Sequence, residues 1–387
     1  MADLRADHLH EIDVVRILTF GAVVAVHAIA FTERPSNVVA AGALMLLQFG
    51  RELFFALMGF VLVHSALRRY PGARSFWRRR FPFVAMPYVA WTVLYWLDGV
   101  ATDPHHTVSV GALLTDLRTG GAEYHLYFLL VTLQLYLAFP LLLRFVQATA
   151  SRAWPVLAGV GVANLAWLSV HHTTASPSGP AGALWDRSYE LLPTYALYVL
   201  AGCYAAVHLP GVQDVVRRRG RAVVGVALGA AGLALVAYVA QLPGRAPRDA
   251  ADVLQPAMAL TCLAAALLLY VAGARWAAGD RRHQHAVRTA SDISFGVYLA
   301  HPLVLQLLLA AGLGNNGQRL PAPVATVVAF AGATVGSALL TLAARRTPLS
   351  LALTGRRRLA PSPLPQLTGS AEERLRVFAA GQATIAP

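Results

Sequence analysis

Ten stretches of this chain are each apolar for about the length, roughly 20 residues, that a helix needs to cross a hydrocarbon core. They centre on residues 14–32, 43–67, 82–100, 124–146, 153–170, 191–209, 222–241, 256–277, 292–313 and 322–344. Inside lipid a segment must satisfy its own backbone hydrogen bonds, so each stretch is expected to be helical. The predicted fold is therefore all-α and polytopic, with about ten transmembrane helices. Composition points the same way: 57% of residues are hydrophobic and 13% charged, too few charges to clothe a soluble domain of 387 residues. The second stretch carries Arg51 and Glu52, and the third is interrupted by Pro82 and Pro87. Prolines are tolerated in membrane helices where neighbours satisfy the freed carbonyls.

The distribution of arginine sets the expected orientation. All 32 basic residues are arginine, and with an internal N-terminus 24 of them fall on the inside against six in outer loops. That asymmetry predicts an even number of spans with both ends inside. The net charge of +13 is thus read as a topology signal rather than as a nucleic-acid surface. Residues 1–345 are expected to form one membrane domain. Residues 346–387, arginine-rich and then proline- and alanine-rich, are expected to be a partly disordered cytoplasmic tail. The first 13 residues are rich in acid and are not expected to belong to a cleaved leader. Cys203 and Cys262 lie in apolar stretches without metal or redox spacing and read as small buried hydrophobes. No internal repeat suggests a transporter built of two similar halves.

Ionisable groups at membrane depth are costly and usually face a protein interior or a wet path. The first helix carries three: Asp13, Arg16 and His27. Eleven residues at about 100° each return His27 to nearly the same face as Arg16, roughly 16 Å further along the axis. Asp13 lies one i,i+3 step from Arg16 and reads as its partner or as a boundary residue. His27 is a candidate general base, because imidazole titrates near neutrality; the plainer reading is a histidine bonded between helices. Glu52 could orient that imidazole, or could pair with Arg16 or Arg51. Arg78, Arg79 and Arg80 could hold phosphates by charge-assisted hydrogen bonds, or could contact anionic lipid. Arg217–Arg219 and Arg356–Arg358 read as topology signals. At the outer face, His125 with Tyr124 and Tyr127 could bind a sugar or belong to an aromatic belt. His301, beside Pro302, reads as structural or as a wall of the same cavity. The pairs His105–His106 and His171–His172 lack a carboxylate or cysteine that would complete a metal site, so no metal is expected.

Four stretches in fixed order resemble the acyltransferase 3 family of integral membrane O-acyltransferases. The first is Ile12-Asp13-Val-Val-Arg16 followed by His27. The second is Glu52-Leu-Phe54-Phe55-Ala-Leu-Met-Gly59-Phe60. The third is Phe76-Trp77-Arg78-Arg79-Arg80 leading to Pro87-Tyr88 and Trp91. The fourth is Ser294-Phe295-Gly296-Val-Tyr298-Leu-Ala-His301-Pro302. The resemblance runs from about residue 10 to 345. The chain departs from it at Phe83, where the family often has arginine, and at Met58, where it often has serine.

The resemblance implies transfer of an acyl group from cytoplasmic acyl-coenzyme A to a hydroxyl, commonly on a carbohydrate or glycosylated acceptor, in a bacterial inner membrane. In that setting His27 would be the general base, or a transient acyl carrier. Arg16 would position the donor, Glu52 would support the histidine, and Arg16 with Arg78–Arg80 would bind coenzyme A. His125, Tyr124 and Tyr127 would meet the acceptor. The rival expectation is a glycan or lipid carrier that uses the same polar residues as a transport path.

Overall fold

A computed structural model describes residues 8–279, 283–314 and 319–359. Every regular element among them is helical. Among the described residues nine helices, some of them broken, are long and apolar enough to cross a membrane, and Leu192–Val207 is a shorter apolar one. Together they account for the ten expected spans, and the chain is a multi-pass membrane protein.

The first helix, α1 (His10–Thr32), is unbroken, so the registry linking Arg16 to His27 holds along it. The second span is made of α2 (Val38–Leu47) and α3 (Phe49–Arg68), joined at Gln48. Asn37 starts α2, its side chain accepting from the backbone N–H groups of Val39 and Ala40 and so satisfying donors that a helix start leaves free. The third span is α4 (Ala73–Arg80) followed by α5 (Pro82–Thr102), which tolerates Pro87 in its interior. After the short α6 (Val110–Thr119) come α7 (Tyr127–Ala148) and α8 (Ala153–Thr173). His171 and His172 lie in the last turn of α8.

Short turns and α9 (Pro180–Asp186) lead to α10 (Ala196–Val207). Next is α11 (Leu209–Gln241), which breaks at Arg219 (φ −119°, ψ 20°). The break separates a basic segment from the apolar run expected over 222–241. The rest are α12 (Pro247–Ala250), α13 (Pro256–Ala278), α14 (Gln284–Leu308), α15 (Ala322–Ala344) and α16 (Ser350–Thr354).

α1 lies at the centre, packed on α3, α13, α14 and α15. The tightest joint is between α3 and α10. A Cβ on Gly202 would collide with the backbone of Ala56, and one on Gly59 with the carbonyl of Val199. Small residues let helix backbones touch where lipid gives no hydrophobic drive for association.

Part of the segment expected to be a tail is built into the domain. α16 packs on α5 and α14, and Trp91 Nε1 donates to the carbonyl of Leu353 at 3.0 Å. Gly355 (φ +61°) turns the chain sharply after α16, beneath Phe295 and Phe83, where a side chain would not fit. The expected disordered stretch from 360 onward lies outside the described residues.

Gly202→Ala should lower stability by about 1–3 kcal/mol through this overlap. It should appear as a lower melting temperature of the solubilised protein. Gly232→Ala, on a helix position where a Cβ would meet nothing within 4 Å, should leave the melting temperature unchanged or raise it.

Candidate active site

One face of α1 builds the polar interior. Arg16, Phe20, Val23 and His27 succeed one another at steps of three or four residues, so their side chains form a single stripe. Two cavities lie along that stripe. The lower one, of about 370 Å³, is lined by Arg16, by Arg79 and Arg80 from α4, and by Arg356 just beyond Gly355. No carboxylate lines it among the described residues. The upper one, of about 180 Å³, is lined by His27, Arg51, Tyr124, His125 and Tyr127.

Phe20, Phe54 and Phe128 line both cavities. With Tyr298 of α14 they form a closed circuit of rings. The centroid distances are 5.1 Å for Phe20–Phe54, 4.4 Å for Phe54–Phe128, 5.3 Å for Phe128–Tyr298 and 5.6 Å for Phe20–Tyr298. These tilted and edge-on contacts are the favoured aromatic geometry. The circuit is an apolar septum between an arginine chamber and a histidine chamber.

In the lower chamber Arg16 donates through Nη1 to Ser291 Oγ at 3.1 Å, and Ser291 donates to Asp13 Oδ1 at 2.7 Å. Asp13 thus supports Arg16 through a hydroxyl rather than directly. Its other oxygen, Oδ2, accepts from His8 Nε2 at 2.5 Å. His8, His10 and Asp13 bring ligand atoms within 4.8 Å of one another, the one such group among the described residues. Its carboxylate is already engaged on both oxygens. Arg78 is exposed and faces a surface recess with Arg74 and Arg79 instead of the chamber. The triplet therefore splits, because a helix turns 100° per residue and cannot point three successive side chains one way.

In the upper chamber the His27 ring lies 4.4 Å from that of Tyr124 and 5.4 Å from that of His301. His301 is fully buried, and its Nδ1–H donates to the carbonyl of Tyr298 at 2.6 Å. That bond fixes the tautomer and leaves Nε2 as an acceptor, which has no partner among the described residues. His125 is buried as well, 5.5 Å from His301 ring to ring, and neither of its nitrogens has a partner among the described residues. Buried nitrogens without partners are unusual. Beside this cluster, Gln306 donates to Glu123 at 3.0 Å, and burial raises the Glu123 carboxyl above the usual carboxylate range.

Glu52 does not bond His27 in this arrangement. Its Oε1 accepts from Arg51 Nε at 2.9 Å and Nη2 at 2.7 Å. Arg51 also donates to the Tyr127 hydroxyl at 3.2 Å and lies over the Tyr195 ring. The sequence left Glu52 between the histidine and an arginine, and the structure gives it the arginine next door. Arg51, Ser291 and Arg356 were not foreseen as site residues. Only Arg51 and Arg356 carried a visible sign, a charge in or beside an apolar run.

Glu52→Ala should strand Arg51 as a buried charge and cost about 3–5 kcal/mol. Replacing both members by Met and Leu should recover much of that loss. Thermal melts of the solubilised variants check both outcomes; a Glu52→Ala protein as stable as wild type would contradict the pairing.

In comparisons with known proteins, the family model for acyltransferase 3, described as an acyltransferase domain, matches residues 9–342. No curated protein and no solved structure matches the chain.

Proposed function

From a chain that belongs to the acyltransferase 3 family, a membrane acyltransferase domain over nearly its whole length, we propose an O-acyltransferase that takes its acyl group from acyl-coenzyme A. The acceptor is a hydroxyl of a carbohydrate or glycosylated molecule. The observation that carries this reading is the stripe on α1, which sets an arginine chamber and a histidine chamber end to end.

Arg16, Arg79, Arg80 and Arg356 offer a cradle for the diphosphate and 3′-phosphate of the donor, since charge-assisted bonds to phosphate are strong; Arg356 Nη2 also meets Asp292 Oδ1 at 3.2 Å, which holds it in place from outside the cavity lining. The pantetheine arm passes the septum as its rings turn aside, and the thioester reaches His27. His27 accepts the proton of the acceptor hydroxyl as its oxygen attacks the thioester carbon. The C–O bond forms, the C–S bond breaks, and the imidazolium returns the proton to the leaving thiolate. His301, with its tautomer fixed, takes the supporting place beside His27 that the sequence offered to Glu52. Tyr124, His125 and Tyr127 face the acceptor. The lower chamber is cytoplasmic in this reading, both termini lie on that side, and the bilayer is a bacterial inner membrane.

His27→Ala should lower turnover by roughly 10²–10⁴-fold while leaving donor binding and the melting temperature near wild type. Titration with acyl-coenzyme A separates the arginines: Arg79→Gln, Arg80→Gln and Arg356→Gln should each weaken binding, and Arg78→Gln should not. If wild type fails to bind acyl-coenzyme A at about millimolar concentration, the carrier reading replaces this one. Orientation is checked by labelling intact cells with an impermeant thiol reagent. Ser75→Cys should stay unlabelled, and Ser176→Cys should react.

A further inference from the structure

A third cavity, of about 480 Å³, lies apart from the two chambers, between α8 and the segment that runs from α9 to the start of α10. α8 shows most of its surface to the outside. Only Ala153, Asn164 and Leu168 on it are buried, so one of its three buried side chains is an amide. Asn164 and Trp167 sit one step of three residues apart and face this cavity together. Across from them are Trp185 of α9 and Ser188. The Trp167 and Trp185 rings are 5.2 Å apart, and His171 stacks on Trp185 at 5.1 Å with the planes only 5° from parallel. The result is a braced aromatic wall.

Three polar atoms at this cavity are buried without partners among the described residues: Asn164 Oδ1, Trp167 Nε1 and Ser188 Oγ. The Asn164 amide nitrogen is already used, donating to the carbonyl of Thr194 at 3.4 Å. What is left is one pure acceptor, one pure donor and one hydroxyl that can do either. No charged side chain lines the cavity among the described residues, and the rest of its wall is mostly apolar. A hydrocarbon chain would fill the space but leave all three atoms unsatisfied, at a cost in each case. A charged ligand would find no counter-ion. A neutral sugar ring has what the cavity asks for: hydroxyls that donate and accept, and an apolar C–H face to lie on an indole.

A short run of neighbouring residues links this cavity to the upper chamber. Ser188 is followed by Tyr189, whose ring meets that of Tyr127 edge-on at 4.9 Å, and Tyr127 lines the upper chamber. We propose that the cavity walled by Asn164, Trp167, Trp185 and Ser188 is a binding subsite for a neutral carbohydrate, which holds one sugar residue of the acceptor while another presents its hydroxyl to His27. The link to the acceptor rests on the acyltransferase reading; the binding of a neutral sugar does not.

The test uses the full-length protein in nanodiscs, applied to an array of neutral and acidic glycans, with acyl-coenzyme A affinity measured on the same samples. Wild type should be retained by neutral glycans in preference to acidic ones. Asn164→Leu and Trp185→Ala should each weaken that retention about tenfold or more, and both should bind acyl-coenzyme A as wild type does, which also shows that they are folded. Failure of wild type to bind any neutral glycan overturns the subsite, as does undiminished retention by both variants. Native mass spectrometry supplies the remaining outcome: a phospholipid carried by wild type and lost from Trp185→Ala would make the cavity a lipid site and overturn the proposal. Absence of acyl-coenzyme A binding in wild type would instead sink the donor reading and leave the sugar site standing on its own result.

Discussion

The contact between four aromatic rings, one each from α1, α3, α7 and α14, organises the interior of this protein. Each aromatic pair contributes about 0.5–1.5 kcal/mol beyond its area. Their larger effect is spatial. A buried guanidinium and a buried imidazole ask for different surroundings, and Phe20, Phe54, Phe128 and Tyr298 keep those surroundings separate. Below them Arg16 is tied through Ser291 to Asp13; above them His27 lies among Tyr124 and His301. The same four helices supply both walls, so neither chamber could be rebuilt without disturbing the other.

The membrane architecture was legible because hydrocarbon enforces it. Apolar runs of the right length had to become helices, and the run over 191–209 survives as the short α10, preceded by a 3₁₀ turn over Leu192–Tyr195. The face shared by Arg16 and His27 was legible for the same reason, since helix registry is arithmetic once the helix is straight. Side-chain choice was not. Glu52 had two chemically reasonable arginines and a histidine to choose from, and adjacency to Arg51 decided it. The triplet at 78–80 reads as one charge cluster in sequence, whereas the rotation of α4 turns Arg78 away from the other two.

Arg356 was the least legible of the site residues. It follows the last apolar run in a segment whose composition resembles a tail. What brings it back is a sequence of small events: α16 packs on α5, Trp91 captures the carbonyl of Leu353, and Gly355 reverses the chain. None of these leaves a periodic trace. The departure at Phe83, where the family often has arginine, falls on the wall of the same chamber that Arg356 enters.

The septum has a meaning for the cell as well as for the chemistry. Polar chambers set end to end through a bilayer amount to a channel unless something interrupts them. One elementary charge crossing a membrane held at 100 mV releases about 2.3 kcal/mol, so a continuous hydrated path through this protein would steadily discharge the membrane in which it sits. A ring of aromatic side chains can part around the slender, uncharged pantetheine arm of the proposed donor and close behind it, while a hydrated ion finds nothing there to replace its water. Under the proposed reaction the four rings would act as insulation, letting a chemical group through a membrane that must stay electrically intact.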